Sequence, residues 1–156
     1  MSNVSELRHI LVIEDQKSRR IIPLKEGNYS IGRDPNSGIP LYDRQVSRHH
    51  ATVLRVNDYH NNNYSYRIID GNLQGKRSTN GIVVNSKYCL SHELKHGDLI
   101  RFGGKCKASY HILENDSELE LLKKNDQNEP LSLAEISKEK SILDSEKIAE
   151  AYIVSL

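Results

Sequence analysis

The feature that most limits what this chain can fold into is a succession of short apolar runs, several of them rich in β-branched residues, over the first 116 residues. Turn-forming Gly, Pro, Asn and Asp residues separate these runs at short, fairly even intervals. Such spacing is typical of an antiparallel sandwich or barrel, and no alternation of strand and helix patterns indicates a doubly wound sheet. We therefore predict strands at 9–13, 20–24, 29–32, 51–56, 64–70, 82–85, 98–102 and 109–113.

The last forty residues have a different character. Residues 117–130 are polar and charged, which predicts a linker. The run Ser132-Leu133-Ala134-Glu135 matches a helix capping box, and Leu131 and Ile136 are placed to form a hydrophobic staple around it. Apolar residues then recur at roughly helical spacing over 142–156. We predict that this tail is amphipathic and helical, as one helix or as two short ones.

Charge supports a division into a body, residues 1–116, and a tail, residues 117–156. The body carries 17 Lys and Arg against 12 Asp and Glu, a net charge of +5, whereas the tail carries 5 against 9, a net charge of −4. A mildly basic body favours an acidic ligand, but it is too weakly charged to indicate nucleic-acid binding. No apolar run approaches the roughly 20 residues that cross a bilayer, so no membrane partner is expected.

Two further observations concern compartment and cofactors. The N-terminus lacks the basic, apolar and small-residue succession of an export signal, which favours a cytoplasmic protein. The chain has two cysteines, Cys89 and Cys106, and their spacing fits no zinc signature. We expect reduced thiols, no metal and no cofactor.

Three polar clusters stand at the ends of predicted strands: Gly32-Arg33, Ser47-Arg48-His49-His50 and Ser78-Thr79-Asn80-Gly81. Together they suit a phosphate carried on a peptide side chain, which brings a charge of about −1.5 to −2 and three acceptor oxygens. The two arginines supply fixed cations, and the hydroxyls of Ser47 and Thr79 supply short donors. An asparagine is suited to bind the main chain of a peptide, and the glycines permit close backbone approach.

In this order the clusters resemble the forkhead-associated (FHA) domain, a phosphothreonine-peptide reader whose motifs are Gly-Arg, Ser-x-x-His and Asn-Gly. The resemblance covers about residues 8–114. It implies an all-β, antiparallel sandwich of about eleven strands, FHA/SMAD-like, with binding loops at one end. It also implies a threonine-phosphorylated partner protein, preferred over a phosphoserine partner, and a role as an adaptor in serine/threonine kinase signalling. Readers of this size that stand alone are familiar in bacteria.

The resemblance assigns a role to particular residues of this chain. The phosphate contacts it implies are Arg33, Ser47, Arg48 and Thr79. The peptide contacts are Asn80, Ser78, Arg44 and Gln45, of which Arg44 and Gln45 are candidates to read the third residue after the phosphothreonine. The supporting residues are Gly32, His50 and Gly81, with His50 as the buried histidine that braces the loop of Ser47. Two departures concern peptide specificity: the loop 70–78 is longer than usual and adds Lys76 and Arg77, and Ile82 replaces a common threonine.

Other interpretations remain open. The same fold and its C-terminal helix can serve as a phosphate-independent scaffold or dimerisation module. Ser47 and His50 imitate a serine–histidine catalytic pair, although no acid partner is apparent, and adjacent His49 and His50 point to opposite faces of a strand, which disfavours a shared metal. Residues 131–156 can pack on the body, pair with another copy or bind a partner. The only threonines are Thr52 and Thr79, both in the body, so the chain is not expected to carry its own ligand.

Overall fold

The computed structural model describes residues 6–127, which form two β-sheets and one helix. The prediction of an all-β sandwich of about eleven strands is confirmed. The strands are β1 (Arg8–Glu14), β2 (Arg19–Leu24), β3 (Asn28–Gly32), β4 (Ile39–Pro40), β5 (Ala51–Asp58), β6 (Asn63–Asp70), β7 (Ile82–Val84), β8 (Lys87–Cys89), β9 (Ser91–Glu93), β10 (Leu99–Gly103) and β11 (Cys106–Leu113), and the helix is α1 (Asp116–Gln127).

The two sheets have six and five strands. The larger has the order β2-β1-β11-β10-β7-β8, and the smaller has the order β4-β3-β5-β6-β9. The paired strands for which a register is resolved are antiparallel, except that β3 and β4 are parallel, with Ile31 opposite Ile39. The longest pairing joins β5 to β6 from Ala51 opposite Asp70 to Asp58 opposite Asn63.

The core lies between the sheets and is built by alternation along the strands. In β6, Tyr66 and Ile68 are fully buried while the residues between and beside them are only partly so. Each fully buried Leu, Ile or Phe side chain stabilises the fold by about 1.5–3 kcal/mol. Fully buried side chains come from both sheets and include Leu11, Ile13, Ile31, Val53, Ile68, Ile82, Ile100, Phe102 and Tyr110.

Each of the eight predicted strands is present, with small differences at the ends. The sequence pattern did not predict β4, β8 and β9, which are only two or three residues long. Strands this short show no alternation that a sequence pattern can reveal. One boundary difference matters chemically: Asp98, which we expected to begin a strand, precedes β10 as a buried turn residue.

The prediction of a linker over 117–130 is wrong for the residues the structure describes, because α1 begins at Asp116. The backbone N–H of Glu118 donates to Asn115 Oδ1 (3.0 Å), and Glu118 Oε2 accepts from the N–H of Glu114 (2.8 Å), which caps the helix N-terminus. Leu119 and Leu122 then pack on the outer face of the six-stranded sheet. The buried side chains they join there are Ile10, Val12 and Leu113. The capping box at 132–135 and the helical pattern at 142–156 lie outside the described residues.

The topology gathers the candidate residues at one end of the sandwich. Strands β1, β3, β4, β6, β8 and β10 all run towards this end, which we call the apical end, and the segments that follow them lie there. These apical segments are 15–18, 33–38, 41–50, 71–81, the single residue 90, and 104–105. The remaining turns lie at the opposite end, which we call the far end. Between residues 6 and 127 no helix is long and apolar enough to cross a bilayer.

Candidate functional site

The first two polar clusters lie directly against each other at the apical end. The backbone N–H of Arg33 donates to the carbonyl oxygen of Ser47 (3.0 Å). A Cβ placed on Gly32 would lie 2.0 Å from the carbonyl oxygen of Arg48 and 2.9 Å from that of Ser47. Only glycine permits this approach, because the obstructing atoms belong to the main chain. Gly32 therefore brings the Arg33 segment and the Ser47-Arg48 segment together.

The two arginines present their charges to solvent in different ways. Arg33 Nε donates to the carbonyl oxygen of Val46 (3.0 Å), which fixes the guanidinium while leaving both Nη groups without a partner among residues 6–127. Arg48 is exposed and forms no ion pair within the same range. A guanidinium anchored through Nε keeps two parallel N–H groups available for a bidentate contact with a phosphate.

The third cluster is joined to the second through side chains. The backbone N–H of Thr79 donates to Ser47 Oγ (2.9 Å), so the Ser47 hydroxyl keeps its own proton for another acceptor. Asn80 Nδ2 donates to the carbonyl oxygen of Gln45 (2.7 Å), while its Oδ1 forms no hydrogen bond within the described chain. The loops 41–50 and 71–81 are thus connected by two hydrogen bonds at the surface.

His50 connects the same loops from below. Its side chain is fully buried, Nδ1 accepts from the backbone N–H of Ser47 (2.9 Å), and Nε2 donates to the carbonyl oxygen of Gly81 (2.8 Å). Burial lowers the pKa of His50, against smaller opposing effects from the Gly81 hydrogen bond and the Asp70 carboxylate. A neutral imidazole with its proton on Nε2 satisfies both contacts.

This geometry argues against the serine–histidine catalytic interpretation. The His50 ring accepts from the main-chain N–H of Ser47, whereas the Ser47 hydroxyl accepts from Thr79. A general base must instead accept the proton of the nucleophilic hydroxyl. The neighbouring thiol of Cys89 is no better placed as a nucleophile, because burial, and less strongly the charge of Asp70, raise its pKa.

Ser78 is turned into the loop rather than towards solvent. Its hydroxyl donates to Oδ1 of buried Asp70 and accepts from the backbone N–H of Gly81 (2.8 Å). Gly81 itself has φ of +77°, in the left-handed region where glycine is favoured. The single donor of Ser78 is therefore used inside the protein, and its geometry fits support of the loop rather than the predicted peptide contact.

Asp43 also organises the site, although its role was not predicted from the sequence. Its Oδ1 accepts from the backbone N–H of Gln45 (2.8 Å), and its Oδ2 accepts from that of Lys105 (3.0 Å). Gly104 approaches so closely that a Cβ there would lie 2.3 Å from Asp43 Oδ2. Asp43 thus holds the turn 104–105 against the loop that carries Arg44. An aspartate two residues before its backbone donor is an Asx-turn signal that could have revealed it.

The long loop 71–81 is also shaped from within. Asn72 Oδ1 accepts from the backbone N–H groups of Gln74 (3.0 Å) and Lys76 (2.9 Å). Gly71 has φ of +82° and lies where a Cβ would be 1.9 Å from the carbonyl oxygen of Lys76. The loop therefore folds compactly and leaves Lys76 and Arg77 exposed beside the third cluster.

The charges at the apical end are strongly unequal in exposure. Three carboxylates, those of Asp15, Asp43 and Asp70, are buried there, and Asp34 is half-buried with its Oδ2 4.0 Å from His49 Nε2. Six exposed cations of the loops 33–38, 41–50, 71–81 and 104–105 have no ion pair within residues 6–127: Arg33, Arg44, Arg48, Lys76, Arg77 and Lys105. The surface presented by the joined loops is therefore basic and suited to an anion. The described part of the chain contains no group of three His, Cys, Asp or Glu side chains that could hold a metal ion.

Comparisons with known proteins agree with this geometry. The family model for the FHA domain matches residues 29–103, which include all three clusters. The crystal structure of Slr1951 from Synechocystis sp. is 38% identical, with a TM-score of 0.63 over 66% of this chain and 96% of that one. The structure from a study of phosphothreonine-dependent FHA domain interactions is 29% identical, with a TM-score of 0.54 over 67% of this chain and 95% of that one.

Two further relatives bear on partners and on length. The FhaA FHA domain, solved in complex with the intracellular domain of Rv3910, is 29% identical with a TM-score of 0.53, over 66% of this chain and 99% of that one. The Synechocystis protein sll1895 is 38% identical over 107 residues, which are 68% of this chain but only 15% of that protein. The resemblance to sll1895 therefore concerns one segment of a much longer protein.

Proposed function

Since this chain belongs to the FHA domain family, a family of phosphopeptide-binding modules rather than enzymes, we propose that it is an adaptor that binds threonine-phosphorylated protein segments in serine/threonine kinase signalling. The observation that carries the proposal is the joining of three loops around neutral, buried His50 beneath two guanidinium groups that form no ion pair within residues 6–127. This arrangement holds donors and positive charge in place before a ligand arrives, which lowers the ordering cost of binding.

The proposed phosphate contacts use the groups that the fold leaves available. Arg33 presents both Nη groups, Arg48 adds a second charge, and the hydroxyls of Ser47 and Thr79 add donors. A hydrogen bond to a charged group contributes about 1.5–3 kcal/mol. Three or four such bonds, partly offset by ordering, give reversible binding in the micromolar range, about −8 kcal/mol.

The proposed peptide contacts lie on either side of the phosphate. Asn80 is anchored through Nδ2, so its Oδ1 is available to accept from a main-chain N–H of the ligand. Arg44 and Gln45 are exposed in the loop that Asp43 fixes, and Lys105 is exposed in the turn held beside it. We propose that this basic side of the site favours an acidic residue three positions after the phosphothreonine.

The partner is proposed to be a different protein rather than another copy of this chain. Thr52 is buried, and its hydroxyl donates to the carbonyl oxygen of Gly71 (2.9 Å). Thr79 lies inside the candidate site itself. Because these are the only threonines in the sequence, neither can supply an exposed phosphothreonine segment for a second molecule.

The test is a binding assay with three degenerate peptide libraries centred on phosphothreonine, phosphoserine or unphosphorylated threonine. We expect the full chain to select the phosphothreonine library and Arg33→Ala to lose that selection. Arg8→Ala, which removes an exposed arginine at the far end, is the matched control and should bind as the unaltered chain does. Equal binding to all libraries, unchanged in Arg33→Ala, would instead support the phosphate-independent scaffold.

A further inference from the structure

One exposed aromatic side chain lies against the candidate site without belonging to any of its three clusters. Tyr88 is 78% exposed, yet a Cβ placed on Gly81 would lie only 3.3 Å from Tyr88 Cδ1. Gly81 follows Asn80 directly in the chain, so the ring of Tyr88 borders the segment proposed to hold the peptide main chain. Tyr88 therefore differs from an exposed aromatic residue that lies away from any binding loop.

The fold places Tyr88 and Gln45 on opposite sides of the segment 78–81. Tyr88 lies on β8, the edge strand of the six-stranded sheet, and pairs with Val83 of β7. Gln45 instead packs over the end of β10, on the other side of β7, where a Cβ on Gly103 would lie 2.7 Å from its carbonyl oxygen. The segment 78–81 therefore lies between Tyr88 and the loop that carries Arg44 and Gln45.

A second exposed apolar residue adjoins Tyr88. Leu90 is 53% exposed, and its carbonyl oxygen accepts from the backbone N–H of Asp70 (2.9 Å). Asp70 is the carboxylate that holds Ser78, so the main chain of Leu90 is fixed to the base of the same loop. Tyr88 thus borders Gly81 directly, and Leu90, two residues further along the chain, has its main chain tied to the base of the same loop.

We infer that Tyr88 and Leu90 form an apolar subsite that receives one aliphatic or aromatic side chain of the phosphothreonine segment. This inference rests on the proposed function, because the subsite is continuous with the proposed peptide-binding loop. An aromatic ring suits this task, since it offers a large contact area and loses little conformational entropy. The ligand class is then a phosphothreonine segment with an apolar residue at one fixed distance from the phosphorylated position.

Exposed aromatic side chains that are scattered singly over a surface need no functional explanation. Tyr59 provides this comparison within the same chain: it is 88% exposed, but it lies in the far-end turn between β5 and β6. Tyr59→Ala and Tyr88→Ala remove the same side chain from similarly exposed positions. The pair therefore separates a general effect of losing a tyrosine from an effect of its place beside the loop.

The experiment repeats the phosphothreonine library selection with the full chain and with Tyr88→Ala, Tyr88→Phe, Tyr59→Ala and Arg33→Ala. We expect the unaltered chain to enrich apolar residues at one position. Tyr88→Ala should lose that enrichment while keeping its dependence on phosphothreonine, with about tenfold weaker binding to the selected peptide, as expected for loss of roughly 50 Å² of apolar contact. Tyr88→Phe and Tyr59→Ala should select as the unaltered chain does.

The remaining outcomes overturn the inference in distinguishable ways. An unchanged selection profile in Tyr88→Ala, measured on protein whose melting temperature is unchanged, shows that the ring does not contact the ligand. Phosphothreonine binding without any apolar preference leaves the proposed function standing and removes the subsite. Absence of phosphothreonine binding in the unaltered chain removes both. A dimer in sedimentation that Tyr88→Ala dissociates, with unchanged peptide selection, assigns the patch to contact between copies.

Discussion

The two ends of the sandwich use charge differently. At the far end, Arg8 Nη1 lies 2.5 Å from Asp116 Oδ1, and His92 Nε2 lies 2.8 Å from Asp98 Oδ2. At the apical end, Arg20 pairs with Asp15, but Asp43 and Asp70 are buried and accept backbone N–H groups instead. The exposed cations of the loops 33–38, 41–50, 71–81 and 104–105 form no ion pair within residues 6–127.

The difference shows how this fold can prepare a positive surface without neutralising it. A carboxylate that accepts main-chain N–H groups shapes a loop, but it is withdrawn from the surface where a ligand arrives. The exposed guanidinium and ammonium groups then attract an anion from solution and repel one another until it binds. Substitutions at matched positions of the two ends test whether the ends differ in this way.

The largest expected effect comes from Gly32→Ala, compared with Gly27→Ala at the far end. A Cβ at position 32 meets main-chain atoms that cannot rotate away, whereas at position 27 it meets nothing within 4 Å. We expect Gly32→Ala to lower the free energy of unfolding by about 3 kcal/mol, as severe overpacking does, and to abolish peptide binding. Gly27→Ala should change stability by less than about 0.5 kcal/mol.

Chemical denaturation of both variants checks this prediction, with peptide binding measured on the folded fraction. If Gly32→Ala unfolds like the unaltered chain and still binds, then the contact between Gly32 and the main chain of Arg48 does not organise the site. The two ends would then differ only in how their carboxylates are used.

The second prediction compares one carboxylate from each end, through Asp70→Ala and Asp58→Ala. Asp70 accepts the N–H and the hydroxyl of Ser78, and Asp58 accepts the N–H groups of His60 and Asn61, but Asp70 is buried at the apical end and Asp58 is exposed at the far end. Removing the buried acceptor leaves Ser78 unsatisfied, so we expect a loss of about 2–3 kcal/mol and weaker peptide binding. Asp58→Ala should cost no more than about 1 kcal/mol, because water replaces the lost acceptor.

Thermal melts and binding titrations of this pair provide the measurement. The prediction fails if the two variants lose similar stability, which would mean that burial does not distinguish the two carboxylates. It also fails if Asp70→Ala binds peptide with unchanged affinity, since Ser78 and Gly81 would then hold the loop without Asp70.

A third prediction concerns the buried histidines, His50 at the apical end and His9 at the far end. Burial lowers the pKa of both, assisted for His9 by the charge of Arg55. The unfolded chain, with a pKa of about 6.5, therefore binds these protons more readily than the folded chain. Their contribution to stability is fully present above about pH 6.5 and is lost as the pH falls towards the folded-state values.

We accordingly expect the melting temperature to fall between pH 7.5 and pH 5. Because the protonated ring of His50 cannot accept the N–H of Ser47, acid should also loosen the apical loop first. Titration of the ring resonances by NMR checks the sign. A folded-state midpoint of His50 above 6.5 would show that a negative neighbour, and not burial, controls this residue.

Much of this molecule could be predicted from sequence, for identifiable physical reasons. Strand alternation indicated the sandwich, because each long strand has one face in the core. The three clusters were expected to meet, and the structure joins them through Ser47, Thr79 and His50. Few other sites require these residue types together, so the order of the three motifs along the chain predicted that they form one site.

The features that were not predicted depend on contacts between residues that are distant in sequence. Asp43 acts through a backbone N–H of Lys105, and Tyr88 approaches the site only because β8 folds back beside Gly81. The inward direction of Ser78 depends on buried Asp70, eight positions away. No local pattern specifies such pairings. The helix α1 was missed for a different reason: its single apolar stripe is short, and Asn115 was not recognised as its N-cap.

The smallest predicted effect concerns this N-cap, and it also tests whether α1 influences the apical end. Asn115 lies at the far end, and its side chain accepts only the N–H of Glu118 among residues 6–127. We expect Asn115→Ala to lower stability by about 1 kcal/mol and Asn115→Ser to restore most of the loss, because serine also caps helices well. Peptide affinity should be unchanged in both variants. If affinity falls together with stability, then α1 influences the apical loops through the outer sheet face it covers, and the two ends of the sandwich are energetically coupled rather than independent.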